Sequence, residues 1–99
     1  MRYLIIDGML NGTGIRDEYG DGYLNIESLG LSESLRLDFQ AWLQRYAQEH
    51  FENYTNRDCL TDLDNEGIEL ARRVMVELGE NKITYFSDAF LTLHSIRNL

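Results

Sequence analysis

The stretch from Leu31 to Tyr54, LSESLRLDFQAWLQRYAQEHFENY, carries the pattern that decides the fold. Leu35, Phe39, Trp42, Leu43, Tyr46, Ala47, His50 and Tyr54 recur at steps of three and four residues, which places them along one stripe of an α-helix. Ser32 stands where an N-cap is needed, because its hydroxyl can accept from an unpaired amide in the first turn. Glu33 lies where the helix dipole favours an anion. The spacing therefore predicts a long amphipathic helix. It holds the single tryptophan, flanked on the stripe by Phe39 and Tyr46, and buries more apolar area than any comparable window. The rest of the chain is expected to pack on it. Nothing on the stripe is reactive.

Working outward toward the N-terminus, Tyr3 to Ile6 is a short apolar run without alternation, as expected of a central strand buried on both faces. Gly8 to Gly22 is rich in glycine, with Asn11-Gly12 and Asp21-Gly22 as hairpin-turn dipeptides, and suits two hairpins or one hairpin and a loop. Tyr23 to Ile26 has enough β character to add a strand. Working toward the C-terminus, Thr61 offers an N-cap with Asp64 three residues later, a variant of the capping box. Leu63, Gly67, Leu70, Ala71, Val74, Met75 and Leu78 then line a second helix that should stop at Gly79. Gly67 in a helix interior costs ~1 kcal/mol relative to alanine, so close approach to the first helix is expected there. Lys82 to Phe86 reads as a strand, while Ala89 to His94 suits either a last strand or a helical turn. Assembled, residues 1–99 form a single α+β domain. It is a two-layer sandwich in which a small, mostly antiparallel sheet of three to five strands is packed by an antiparallel two-helix hairpin.

Composition narrows the function. Nine Lys and Arg against seventeen Asp and Glu leave a net charge of −8, which repels a nucleic-acid backbone and favours a basic protein partner. No run approaches the ~20 apolar residues of a membrane span, and Arg2 to Ile6 is strand-like without a signal-peptide cleavage pattern. A cytoplasmic protein with no membrane association is expected. Cys59 is alone, and no zinc-type spacing of Cys and His occurs. The two histidines, His50 and His94, have no nucleophile near them in sequence. The glycines of residues 8–22 do not open into a helix and are followed by Asp17 and Glu18, which would repel a phosphate. Asp62, Asp64 and Glu66 begin like a calcium loop, but Arg73 stands at the twelfth position, where a bidentate glutamate is required. No catalytic residue, metal site or cofactor is expected, and the chain is read as a non-enzyme.

What remains is acid beside tyrosine. From Glu49 to Glu80 nine acidic residues face Arg57, Arg72 and Arg73, and from Arg16 to Asp38 six face Arg16 and Arg36. Carboxylates speed encounter with a cationic partner and tyrosine supplies contact area at small entropic cost. The candidate docking residues are Asp17, Glu18, Tyr19, Asp21 and Tyr23 on the glycine-rich loops, and Asp58, Asp62 and Asp64 at the helix connection.

The set Gly30-Leu31-Ser32, Leu35, Phe39, Trp42-Leu43 and Tyr46, followed by Leu63-Asp64, Glu66-Gly67, Leu70-Ala71, Glu77-Leu78-Gly79 and Ile83-Thr84-Tyr85-Phe86, resembles the small immunity proteins encoded beside polymorphic and contact-dependent growth-inhibition toxins of bacteria. The resemblance spans most of the chain from Leu29 to Asp88 and rests largely on core and cap residues. It implies a cytoplasmic protein that binds and neutralises one cognate toxin domain, commonly a basic nuclease. No binding residue carries over, because toxin-facing positions vary in such families. The competing readings are an acidic nucleic-acid mimic that blocks a basic DNA- or RNA-binding enzyme, and a non-catalytic subunit of a larger assembly.

Overall fold

Ser32 caps the central helix as its sequence suggests: the Leu35 amide donates to its Oγ at 3.2 Å, and helix α1 runs over Glu33–Phe51. A computed structural model describes residues 3–20, 22–79 and 82–96. Strands β1 (Tyr3–Asp7) and β2 (Ile15–Asp17) precede a 3₁₀ turn at Ile26–Leu29 and α1. Helix α2 (Arg57–Leu78) and strands β3 (Lys82–Ser87) and β4 (Thr92–Ser95) follow. The sheet order is β2-β1-β3-β4. β1 and β3 pair in parallel at the centre, with antiparallel β2 and β4 at the edges. A parallel pair needs a long crossover, and the helical hairpin supplies it.

In the register Leu4↔Ile83 and Ile6↔Tyr85, one side of the sheet presents Leu4, Ile6, Ile15, Ile83 and Tyr85 to the helices, and all of these are buried. They meet Leu35, Phe39, Trp42 and Tyr46 of α1 and Leu63, Leu70, Ala71 and Val74 of α2 in one core cluster. The opposite side carries Ile5 and Asp7, which are buried, with Tyr3, Thr84, Phe86 and Leu93 around them partly or largely open to solvent. This is the α+β two-layer sandwich that the periodicities predict. β1 is central, as its unbroken apolar run suggests.

Gly67 sits at a tight contact. A Cβ there would lie 2.7 Å from Trp42 Cζ2 and would also strike the Tyr85 ring. α2 therefore rests on the α1 tryptophan and on the sheet together. Trp42 is fixed in turn by its indole N–H, which donates to the Leu63 carbonyl at 2.8 Å. The start of α1 is tied to the end of α2, because the Ser32 amide and hydroxyl both donate to the Glu77 carboxylate, at 2.6 and 2.8 Å.

Four local expectations are corrected. α2 begins at Arg57, capped by the Asn56 side chain accepting from Cys59 N at 3.1 Å, and Thr61 lies one turn inside, donating to the Arg57 carbonyl. Asn56 is an equally good cap placed earlier, and starting there brings Leu60 into the buried set. His50 is exposed, and the stripe Leu35, Phe39, Trp42, Tyr46 is completed instead by Glu49. β1 and β2 are joined by a loop over residues 8–14, with Asn11 and Gly14 at positive φ, in place of a two-residue turn. Tyr23 makes only an isolated bridge to Arg16. The Asn25 side chain then accepts from the Glu27 amide and turns the chain into the 3₁₀ segment, so no strand forms over Tyr23 to Ile26. The open C-terminal segment is a strand, β4, reached through a turn in which the Leu91 amide donates to the Ser87 carbonyl at 2.7 Å.

Candidate interaction surface

Asp64 is not on the surface. It sits on the inner stripe of α2 at 8% exposure, facing the end of β3. Its Oδ1 accepts from Tyr46 at 2.9 Å and Tyr85 at 2.6 Å, and its Oδ2 accepts from Ser87 at 2.6 Å. The hydroxyls that bind it are themselves engaged: the Ala89 amide donates to Tyr46 Oη and the Phe90 amide to Ser87 Oγ. Both phenols are held well above the ordinary tyrosine range, by burial first and with a contribution from the Asp64 charge, so they act as donors. Asp64 is thus corrected from a docking residue to a core residue. Three hydroxyl donors compensate its burial, which one turn of sequence around it could not reveal.

A second buried carboxylate, Asp7, ends β1. Arg16 Nε donates to its Oδ2 at 2.9 Å, Tyr23 Oη and the Met9 amide donate to its Oδ1, and the Tyr23 phenol is raised by burial and by this bond. Tyr23 is therefore half-buried and fastens the loop back to the sheet, so little of it is available to a partner. Asp88, just after β3, has a buried Oδ2 without a hydrogen-bond partner. Burial, then the Asp7 and Asp64 charges, raise its pKa to about 6 against the opposing pull of Arg16.

The remaining candidates fall in two places. At the end of β2, Glu18 and Tyr19 are exposed, Tyr19 at 78%, and the Asp17 carboxylate accepts from the Tyr19 amide at 2.9 Å. Tyr19 stacks edge-on against Tyr3, with ring centroids 5.4 Å apart, so an acidic corner carries an aromatic pair. On α2, Asp58 and Asp62 are exposed and one turn apart. Asp21 lies outside the described residues. Among the described residues, no ion pair engages Glu18, Asp58 or Asp62, whereas Arg16, Arg45, Arg72 and Arg73 are each bonded to a carboxylate of the same chain, buried at Asp7 and at the surface in the other three pairs.

Glu49 is the residue that sequence reasoning missed. Only 6% exposed, it has one carboxylate oxygen, Oε1, buried without a hydrogen-bond partner. It lines a cleft of about 390 Å³ between the helices, together with Arg45, Cys59, Asp62, Leu63 and Glu66. The Cys59 thiol is raised by burial first, then by the Glu49 charge and by its own hydrogen bond to the Glu49 carboxylate, which leaves it a poor nucleophile. A signal for Glu49 was present in the alternating four-and-three step through Leu35, Phe39, Trp42 and Tyr46, but the charged residue type argued against continuing it. No group of three or more His, Cys, Asp and Glu able to hold a metal ion occurs among the described residues, nor does a helix long and apolar enough to cross a membrane. No protein-family model, curated protein or solved structure matches the chain.

Proposed function

We propose that this protein is an immunity protein: it binds a cognate bacterial toxin domain, basic and nuclease-type, and neutralises it in the cytoplasm without catalysing a reaction. The observation that carries the reading is the uneven use of charge. With a net charge of −8, the chain commits four arginines to its own carboxylates while Glu18, Asp58 and Asp62 stay exposed and unpaired among the described residues. Such a surface attracts a cationic partner over a Debye length of ~8–10 Å at physiological ionic strength and adds Tyr19 as a contact group.

The direct test uses the toxin domain encoded beside the gene. Its nuclease activity should fall stoichiometrically as the protein is added. Neutralising Asp17 and Glu18, or separately Asp58 and Asp62, as the amides should identify the face in contact. One pair weakens binding by at least ~2 kcal/mol, and the other changes mainly the association rate. A neighbouring toxin whose activity is unaffected, with no complex formed, would refute the reading.

A further inference from the structure

We propose that the cleft between α1 and α2 receives a cationic side chain, lysine or arginine, from a protein partner. The proposal deepens the toxin-binding reading and rests on it for the partner's identity, while the cleft's affinity for an organic cation can be tested alone.

The ground for it is Glu49. A carboxylate oxygen shut away from water normally has a donor, and in this protein Asp7 and Asp64 follow that rule with full sets of partners. Asp88 Oδ2 and Glu49 Oε1 have none, and of the two it is Glu49, whose carboxylate is otherwise met by the weak Cys59 thiol donor, that lines an open cleft. The wall adds Asp62 and Glu66 and a single cation, Arg45, whose Nη2 is already bonded to Glu66 Oε1. Three carboxylates against one guanidinium leave two negative charges facing the space. An alkylammonium or alkylguanidinium supplies both the missing donor and the missing charge, and its methylene stem can lie on Leu63. A cleft of about 390 Å³ is at the lower end of the size range of small-ligand sites, ~300–1,000 Å³, and is ample for one side chain. A bare metal ion is disfavoured, since no group of three or more His, Cys, Asp and Glu among the described residues is arranged to hold one.

The test is an NMR titration of the full chain with n-butylguanidinium and n-butylammonium at matched ionic strength. The proposal expects saturable shifts at the Glu49 carboxyl carbon and at the Cys59, Asp62 and Leu63 amides. In Glu49→Gln, which keeps the shape but loses the charge, affinity should fall about tenfold or more, as expected on loss of one charge-assisted hydrogen bond. Whichever probe saturates first tells arginine from lysine. Shifts that grow linearly and spread equally to Glu18 and Asp58, or an unchanged affinity in Glu49→Gln, would overturn it. If Glu49→Gln does not fold, the wild-type carboxyl-carbon titration and Asp62→Asn, expected to bind several-fold more weakly, decide the matter. Small cations that saturate the cleft while the neighbouring toxin stays active would refute the immunity reading and leave the cleft standing. A neutralised toxin with no saturable cation binding would refute the cleft alone.

Discussion

Asp64 and Glu49 are both carboxylates on the core-facing stripe of a helix, and the protein treats them differently. Asp64 is surrounded by Tyr46, Tyr85 and Ser87, so each of its oxygens has at least one short bond from a hydroxyl. Glu49, one turn beyond Tyr46 on α1, keeps an oxygen without a partner beside a cleft. The difference separates two reasons for burying an acid. A carboxylate ringed by donors ties elements together, here α1, α2 and the end of β3. One left short of donors adds nothing comparable to stability, and an external donor can complete it.

The strongest attempt to break this comparison is Asp64→Ala. Stranding three hydroxyl donors in the core should cost roughly 3–5 kcal/mol in urea unfolding, because unsatisfied buried groups lose their full desolvation penalty. A cost below ~1 kcal/mol would mean that the hydroxyls rearrange freely and that the hub is not a hub. Tyr85→Phe is a finer cut. It removes one donor and leaves Tyr46 and Ser87 in place, so about 1–2 kcal/mol is expected from the same melts.

Asp88 sharpens the comparison through pH. Its pKa is raised from 3.8 to about 6 in the folded protein, chiefly by burial and then by the Asp7 and Asp64 charges. The folded state therefore holds this proton where the unfolded chain has lost it. The contribution is fully present below pH 3.8 and is lost as pH rises through about 6. Asp88→Asn should flatten that decline and stabilise the protein at neutral pH, by of the order of 1 kcal/mol once solvent screening of a half-exposed group is allowed for. Melting temperatures between pH 4 and pH 7 check it, and parallel curves for the two proteins would contradict it.

The smallest effect is expected at Glu49. Glu49→Leu removes an acid that lacks a full set of partners and extends the apolar stripe, so stability should change by less than ~1 kcal/mol or rise. A loss as large as that of Asp64→Ala would show that Glu49 is structural and would end the distinction.

The layers of this fold were legible because they follow from periodicity and caps. Leu35, Phe39, Trp42 and Tyr46 announce α1, Ser32 its start, Gly67 the tight contact and Gly79 the stop, and Tyr3 to Ile6 the central strand. The polar interior was not legible. Asp64 reads as a helix-start charge until Tyr46, 18 residues before it, and Tyr85, 21 residues after it, are brought together by the fold. Glu49 continues an apolar rhythm with the wrong residue type. Tyr23 looks exposed beside Asp21-Gly22, yet its hydroxyl is claimed by Asp7 at the end of another strand. In each case the deciding partner is distant in sequence, where local patterns carry no information. The exposed acids Glu18, Asp58 and Asp62 were easier, because a charged residue needs no partner to stay in water.

The most direct measurement is surface plasmon resonance of the proposed basic toxin partner over the wild-type protein and Glu49→Gln, across a salt series. For both proteins association should slow as salt rises, since the field of the exposed carboxylates is intact. Dissociation should be about tenfold or more faster for Glu49→Gln alone, as expected when a desolvated charge contact is lost. Association indifferent to salt, together with dissociation identical in the two proteins, would contradict the claim that acidic docking and the Glu49 cleft hold a basic partner.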